Sequence, residues 1–138
     1  MSEILVGYDG SEGSRASLDL AITWAKDLGD TVTVVFAYGS PGAPGGEMTS
    51  HSDAVKERGE KALAEATHQA QAAGFEIKTK EVYGHPSEAL IAEAEEAKAR
   101  MIVVGNRGGE GLIKGAILGS VTYKLVHLST VPVLIAPA

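Results

Sequence analysis

The sequence predicts an α/β fold with a five-stranded parallel doubly wound sheet and helices on both faces. Five short apolar runs alternate with four segments of helical periodicity, and strands joined through helices need the crossover connections of a parallel sheet. The apolar runs are nearly continuous, which is typical of strands buried on both faces. The length of 138 residues suits a single domain, residues 1–138, with one core.

The first strand and helix carry the clearest signals. Residues 4–8 form a short apolar run closed by Asp9 and a Gly-Ser pair, which indicates a buried strand that ends in a turn. Apolar residues then recur at helical spacing from Leu18 to Leu28, and Gly29 stands where a helix commonly ends. These residues predict one βα unit.

The remaining elements repeat this alternation. Further strands are predicted at residues 31–38, 75–83, 101–104 and 131–136, and further helices at residues 52–73, 86–97 and 121–128, with Pro86 in the first turn of its helix. A Gly/Pro-rich loop at residues 39–46 makes the second connection the longest.

The binding site is expected at the carboxyl edge of this sheet. In open parallel sheets, ligands bind beyond the carboxyl ends of the strands, at the point where the strand order reverses. The predicted strand ends at this edge are Tyr8-Asp9, Ala37-Tyr38, Tyr83-Gly84 and Val104-Gly105.

Composition limits the classes of partner. The net charge is -6 and the pI is about 5.2, so the chain repels a polyanion, and nucleic acid is excluded as an expected partner. A single nucleotide is different, because a few oriented backbone N–H groups hold phosphates without net positive charge. The chain has no cysteine, no membrane span and no leader-like N-terminus, which predicts a cytoplasmic protein.

A glycine-rich segment follows the fourth strand. Five of the 17 glycines lie in GNRGGEGLIKG, where they let the backbone approach a ligand and form an anion-binding nest. Gly119 and Ser120 follow at the predicted start of the last helix, where Ser120 serves as N-cap and phosphate donor. Neither GxGxxG after the first strand nor a P-loop GxxxxGK is present. An ordinary surface loop is the alternative interpretation.

The chain resembles the universal stress protein family along essentially its whole length. ILVGYDGSEGSRASLDLA is similar to that family's opening strand and helix, VYGHPSEALIAEAEE to its third strand end and G-x-P helix, and VPVLIAPA to its closing strand. VVGNRGGEGLIKGAILGSVT resembles the family's ATP-binding signature G-x(2)-G-x(9)-G-S/T. With the βα alternation, this resemblance implies the strand order 3-2-1-4-5 and ATP as the ligand.

The signature departs from the family pattern by one residue. Counted from Gly105, Gly108 has the expected spacing, but ten residues then precede Gly119 instead of nine. With Gly109 as the second glycine, the nine are restored and the first gap grows to three. We expect the extra residue to bulge between Gly108 and Gly115, which leaves both ends of the signature in register.

The resemblance implies a role for each site residue. Asp9, preceded by Tyr8, lies near the adenosine, and Ala37 offers backbone hydrogen bonds to adenine. Val104 and Gly105 approach the ribose. The residues implied around the phosphates are Arg107, Gly108 or Gly109, Gly119, Ser120, Val121 and Thr122, with Mg²⁺ held mainly through the phosphates. A second interpretation of Asp9 is a cap for the following helix.

The function predicted is an ATP-binding regulatory module in stress response. The alternatives are a family member that has lost ATP and acts only as a dimeric interaction domain, or a flavodoxin-like binding domain. A signalling receiver is excluded, because its acidic cluster, third-strand aspartate and fifth-strand lysine are replaced by a single Asp9, Tyr83 and Ala136. No general base is identifiable, so a dedicated enzyme is not predicted, and slow ATP hydrolysis stays open.

Two further predictions concern metals and assembly. His51, His68, His85 and His127 are scattered without HxxxH or HExxH spacing, so no metal site is predicted.

The last strand begins at Val131 and ends at Ala136, is almost entirely apolar and lacks the charges that protect an exposed edge. It is therefore predicted to pair with its copy in a homodimer, over a length limited by Pro132 and Pro137.

Overall fold

The structure is a computed structural model that describes residues 2–38, 50–106 and 120–137. Its strands are β1 (Glu3–Gly7), β2 (Thr31–Tyr38), β3 (Lys78–Tyr83), β4 (Met101–Gly105) and β5 (Val133–Ala136), and its helices are α1 (Glu12–Leu28), α2 (Ser50–Ala72), α3 (Pro86–Ala97) and α4 (Ser120–Leu128). The strands form one parallel sheet in the order β3-β2-β1-β4-β5. The predicted fold class and strand order are confirmed.

Two strands are shorter than predicted. Strand β3 begins at Lys78 because Phe75 and Ile77 pack against the core before pairing with β2 begins at Thr33. Strand β5 begins at Val133 because the Ser129 hydroxyl accepts a hydrogen bond from the Val131 N–H at 3.1 Å and donates one to the Val131 carbonyl at 2.7 Å.

The residues at the helix ends explain where the helices begin and end. Helix α1 ends at Gly29, which adopts the left-handed conformation with φ of 73° and donates its N–H to the Ala25 carbonyl. Helix α3 begins at Pro86, whose missing N–H would be unpaired in a first turn in any case. Helix α2 begins at Ser50 and ends at Ala72, close to the predicted bounds.

The sheet separates two hydrophobic clusters. One face packs against α1 and α2, with Ile4, Val6 and Leu18 completely buried. The other packs against α3 and α4 through Leu5, Ile102 and Leu125. Successive residues of β1 thus point to opposite faces, as a strand buried on both sides requires. No helix within the described ranges is long and apolar enough to cross a membrane.

An ion pair closes the edge of the sheet at the amino ends of the strands. The Asp30 carboxylate is fully buried and accepts hydrogen bonds from Arg100 Nε at 2.5 Å and Nη2 at 3.3 Å, and from the Ser2 N–H at 2.9 Å. The hydrogen bond from Arg100 holds the pKa of Asp30 below its usual range. This contact joins the turn after α1 to the turn before β4.

Candidate functional site

A cavity of about 570 Å³ lies beyond the carboxyl ends of β1, β2 and β4. Its volume is within the range of small-molecule sites. The predicted site residues that line it are Tyr8, Asp9, Ala37, Val104, Gly105, Ser120, Val121 and Thr122. The other predicted site residues, Arg107, Gly108, Gly109 and Gly119, lie outside the described part of the chain.

The turn between β1 and α1 forms one wall of the cavity. Gly10 has a φ of 87°, a conformation that favours glycine. Ser11 is the N-cap of α1, because its hydroxyl accepts a hydrogen bond from the Ser14 N–H at 3.3 Å. Asp9 accepts the Ser11 N–H at 2.9 Å. The helix cap is therefore Ser11, and Asp9 stabilises the turn that precedes it.

The Tyr8 side chain is part of the hydrophobic core. Its ring is buried, and its hydroxyl donates to Gln69 Oε1 on α2 at 3.3 Å. Burial raises the pKa of the Tyr8 phenol, so the hydroxyl stays protonated at neutral pH. It is a structural hydrogen-bond donor between β1 and α2.

Ala37 extends β2 beyond the end of β1. Pairing of the two strands ends at Gly7 and Val35, and the Val35 carbonyl accepts the Tyr8 N–H at 3.0 Å. Backbone groups alternate sides along a strand, so the N–H and C=O of Ala37 point in the same direction as those of Val35. They face the cavity past the end of β1 and offer one donor and one acceptor side by side.

The end of β4 is tightly packed against α1. A Cβ atom at Gly105 would lie 2.9 Å from the Gly13 carbonyl carbon, so only glycine lets the first turn of α1 approach this closely. The Gly105 carbonyl accepts a hydrogen bond from the buried Thr122 hydroxyl at 2.6 Å. Thr122 thereby fixes the start of α4 to the end of β4.

Comparison with known proteins identifies the family. The model of the universal stress protein family matches residues 1–137. Universal stress protein YxiE of Bacillus subtilis is 32% identical over 145 residues, an alignment that covers 97% of each chain. The chain belongs to the universal stress protein family. The hydrogen bond from Thr122 to Gly105 thus joins the first turn of α4 to the glycine that begins the glycine-rich segment of this universal stress protein.

Solved structures agree with this assignment. A universal stress protein described as being in complex with cAMP is 34% identical, with a TM-score of 0.77 and coverage of 98% of this chain and 96% of the other. UspA from Lactobacillus plantarum is 20% identical, with a TM-score of 0.82 and coverage of 98% and 97%. The second likeness supports the fold.

Three helices of this universal stress protein begin at the cavity. The cavity is lined by Ser11 at the start of α1, Pro86 at the start of α3 and Ser120 at the start of α4. The first turn of a helix carries unpaired N–H groups and the positive end of the helix dipole, which favour an anion. Helix α4 begins at Ser120 itself, so Ser120 is the first residue of the helix and not the N-cap that was predicted.

Apolar side chains form the rest of the wall. Val35, Leu90, Val104 and Val121 line the cavity between these helix starts. Such a wall suits the flat face of an aromatic ring. The arrangement can therefore hold a ligand that has an apolar ring at one end and an anionic group at the other.

Several lining residues were missed by sequence reasoning. Ser11 and Ser14 carried a detectable signal, because a serine pair with this spacing after a strand is typical of a capped helix start. Arg58 carried none, because it is one charged residue among many in the second helix. Its exposed side chain lines the cavity, and no ion pair joins it to another described residue.

Proposed function

We propose that this universal stress protein binds ATP in the cavity at the carboxyl edge of the sheet and acts as a homodimeric regulatory module. The observation that carries the proposal is the cavity itself, which is lined both by Ala37, beyond the end of the β1–β2 pairing, and by Ser120 at the start of α4. The similar structure described as a complex with cAMP supports an adenine nucleotide as the ligand.

Hydrogen-bond chemistry favours adenine as the base. The N–H of Ala37 donates to adenine N1, and its C=O accepts from the adenine amino group. Guanine carries an acceptor and a donor in the reverse order at these positions, so the same backbone edge does not pair with it. This matching explains how a backbone segment without polar side chains selects a base.

The phosphates extend to the start of α4. Ser120 and the first-turn N–H groups provide donors there, and Gly119 provides a position without a side chain. Within the described residues, no three His, Asp or Glu side chains group as a metal site. Mg²⁺ is therefore proposed to be held mainly through the phosphates. Cytoplasmic location and a role in stress response stay predictions.

Calorimetric titration tests the ligand. We expect ATP to bind in the presence of Mg²⁺ and GTP to bind at least about tenfold more weakly, because two base hydrogen bonds are lost. Gly119→Val should abolish ATP binding, whereas Ser120→Ala should cost about 1–2 kcal/mol for one hydrogen bond to a charged group.

The nucleotide series decides between the alternatives. Equal affinity for ATP and GTP would contradict base recognition at Ala37. If the protein bound cAMP but not ATP, the ligand would be cAMP instead of ATP, and the proposed site would still hold. Absence of binding by every adenine nucleotide would favour the alternative of a dimeric interaction domain that has lost ATP.

The edge of the sheet supports the homodimer. Strand β5 is the last strand in the sheet order, pairs with β4, and carries no charged side chain. Tyr123 and Val126 on neighbouring α4 are about half exposed, at 52% and 44%. A second copy paired along β5 would satisfy the free strand edge and cover these apolar side chains.

A further inference from the structure

Helix α2 lies close to the sheet because Gly59 has no side chain. A Cβ atom at this position would be 2.7 Å from Phe36 Cδ1 and 2.9 Å from Glu81 Oε1. Glycine inside a helix lowers its stability by about 1 kcal/mol relative to alanine. Gly59 lies in the interior of the 23-residue helix α2 and is buried. Close packing on Phe36 is the physical reason for a glycine here.

This close approach brings the neighbouring Arg58 to the rim of the cavity. Arg58 lines it together with Phe36 and Ala37. Within the described part of the lining, Arg58 is the only Lys or Arg side chain, and no described carboxylate forms an ion pair with it. A guanidinium that forms no ion pair with the described residues and lies beside an apolar wall can contact a ligand.

The position of α2 indicates which part of the ligand Arg58 meets. Helix α2 packs against β2 and β3, whereas α4 packs on the opposite face of the sheet through Leu125. Arg58 is thus on the Ala37 side of the cavity, away from Ser120. In the proposed binding mode, this is the side of the base.

We propose that the Arg58 guanidinium stacks on the face of the adenine ring. The inference rests on the proposed function and adds to it a residue that determines affinity for the base. A guanidinium is planar, weakly hydrated and cationic, so it stacks on an aromatic face, whereas a lysine ammonium provides charge without a plane. Ala37 recognises the edge of the base, and Arg58 covers its face.

The test compares Arg58→Met and Arg58→Lys in titrations with adenosine, AMP and ATP. Methionine keeps the length and apolar stem of the side chain, and lysine keeps the charge. We expect both variants to lose about five- to tenfold in affinity, by the same factor for all three ligands, because both lose the planar guanidinium and its stacking depends on the base and not on the phosphates. Lys56→Met is the matched control, because Lys56 is exposed on the same helix and is outside the cavity lining. It should bind as the wild type does.

Each contrary outcome has a distinct meaning. A loss that is absent for adenosine and grows from AMP to ATP would assign Arg58 to the phosphates and overturn the stacking. Full affinity in Arg58→Lys would also overturn it, because charge alone would then suffice. Unchanged affinity in Arg58→Met would overturn this inference and leave the proposed function intact. A wild type that binds none of the three ligands would overturn both.

Discussion

At the scale of single residues, the hydrogen bond of the Thr122 hydroxyl joins β4 to α4. It is buried and donates to the Gly105 carbonyl at 2.6 Å. We expect Thr122→Val to lower the free energy of unfolding by about 1–2 kcal/mol, because the carbonyl loses its donor at nearly constant side-chain volume. Thr122→Ser should stay within about 1 kcal/mol of the wild type, because it keeps the hydroxyl. Urea denaturation measures both, and equal stability of the two variants would contradict the prediction.

The Asp30 carboxylate predicts a dependence of stability on pH. Its pKa is lower in the folded than in the unfolded protein, first because Arg100 donates hydrogen bonds to it. This stabilisation is fully present above the unfolded pKa of about 4 and is lost as the pH falls through the lower folded pKa. Asp30→Asn should therefore lower the free energy of unfolding by about 2 kcal/mol at neutral pH and much less near pH 2.

The matched control for this prediction is Asp27→Asn. Asp27 is exposed in the last turn of α1, and the substitution changes the net charge by the same amount. Denaturation curves recorded between about pH 7 and about pH 2 should show little effect of this control. A constant difference between Asp30→Asn and the wild type over the whole range would contradict the linkage.

At the scale of elements, Gly59 sets the distance between α2 and β2. Alanine favours helix by about 1 kcal/mol over glycine, yet we expect Gly59→Ala to destabilise the protein by about 1–3 kcal/mol through overpacking. The cause is the 2.7 Å approach of the new Cβ to Phe36. In a double-mutant cycle, Phe36→Leu should recover part of this loss. Additive effects of the two substitutions would show that the glycine has another role.

Element types were predictable because the apolar patterns are long and regular. The ends of β3 and β5 were not, because tertiary contacts decide them. Phe75 and Ile77 continue the apolar pattern of β3, but they pack on the core instead of pairing. Residue Val131 continues the pattern of β5, but its backbone bonds to the Ser129 hydroxyl.

The residues of the candidate site that lie at strand ends were predictable from the sequence, whereas the residue from helix α2 was not. Strand ends such as Asp9, Ala37 and Gly105 follow from the rule for parallel sheets, and they line the cavity. Arg58 reaches the cavity only through the packing of α2 on Phe36, which no local pattern encodes. Helix α2 lies in the longest connection of the chain, so its contribution to the cavity becomes visible only in the tertiary structure.

At the scale of the whole molecule, the two edges of the sheet differ in their protection. Strand β3 exposes Lys78 and Lys80, which oppose pairing with another strand, whereas β5 exposes no charge. Ile135 on β5 is half-buried and belongs to neither hydrophobic cluster, so its replacement disturbs the core least. We expect Ile135→Lys to convert the proposed dimer into a monomer.

Light scattering at micromolar concentration measures this change. Tyr83→Lys is the control, because it adds the same charge to an exposed position on the opposite edge strand, and it should remain dimeric. A monomeric wild type would contradict the proposed dimer. A dimeric Ile135→Lys protein would move the interface away from β5.

The convergence of three helix starts on one cavity has a kinetic consequence. The positive ends of the helix dipoles at Ser11, Pro86 and Ser120 favour an anion such as the proposed nucleotide, but the chain as a whole carries a charge of -6 and repels an anion at longer range. Dissolved salt screens the long-range repulsion first, since the Debye length is about 10 Å at 0.1 M ionic strength. The association rate of ATP should therefore rise with added potassium chloride over the low-salt range, whereas a nucleic-acid-binding protein loses rate as salt is added. If the proposed function holds, the net charge of the chain slows the approach of a nucleotide, and the helix starts at the cavity then bind it.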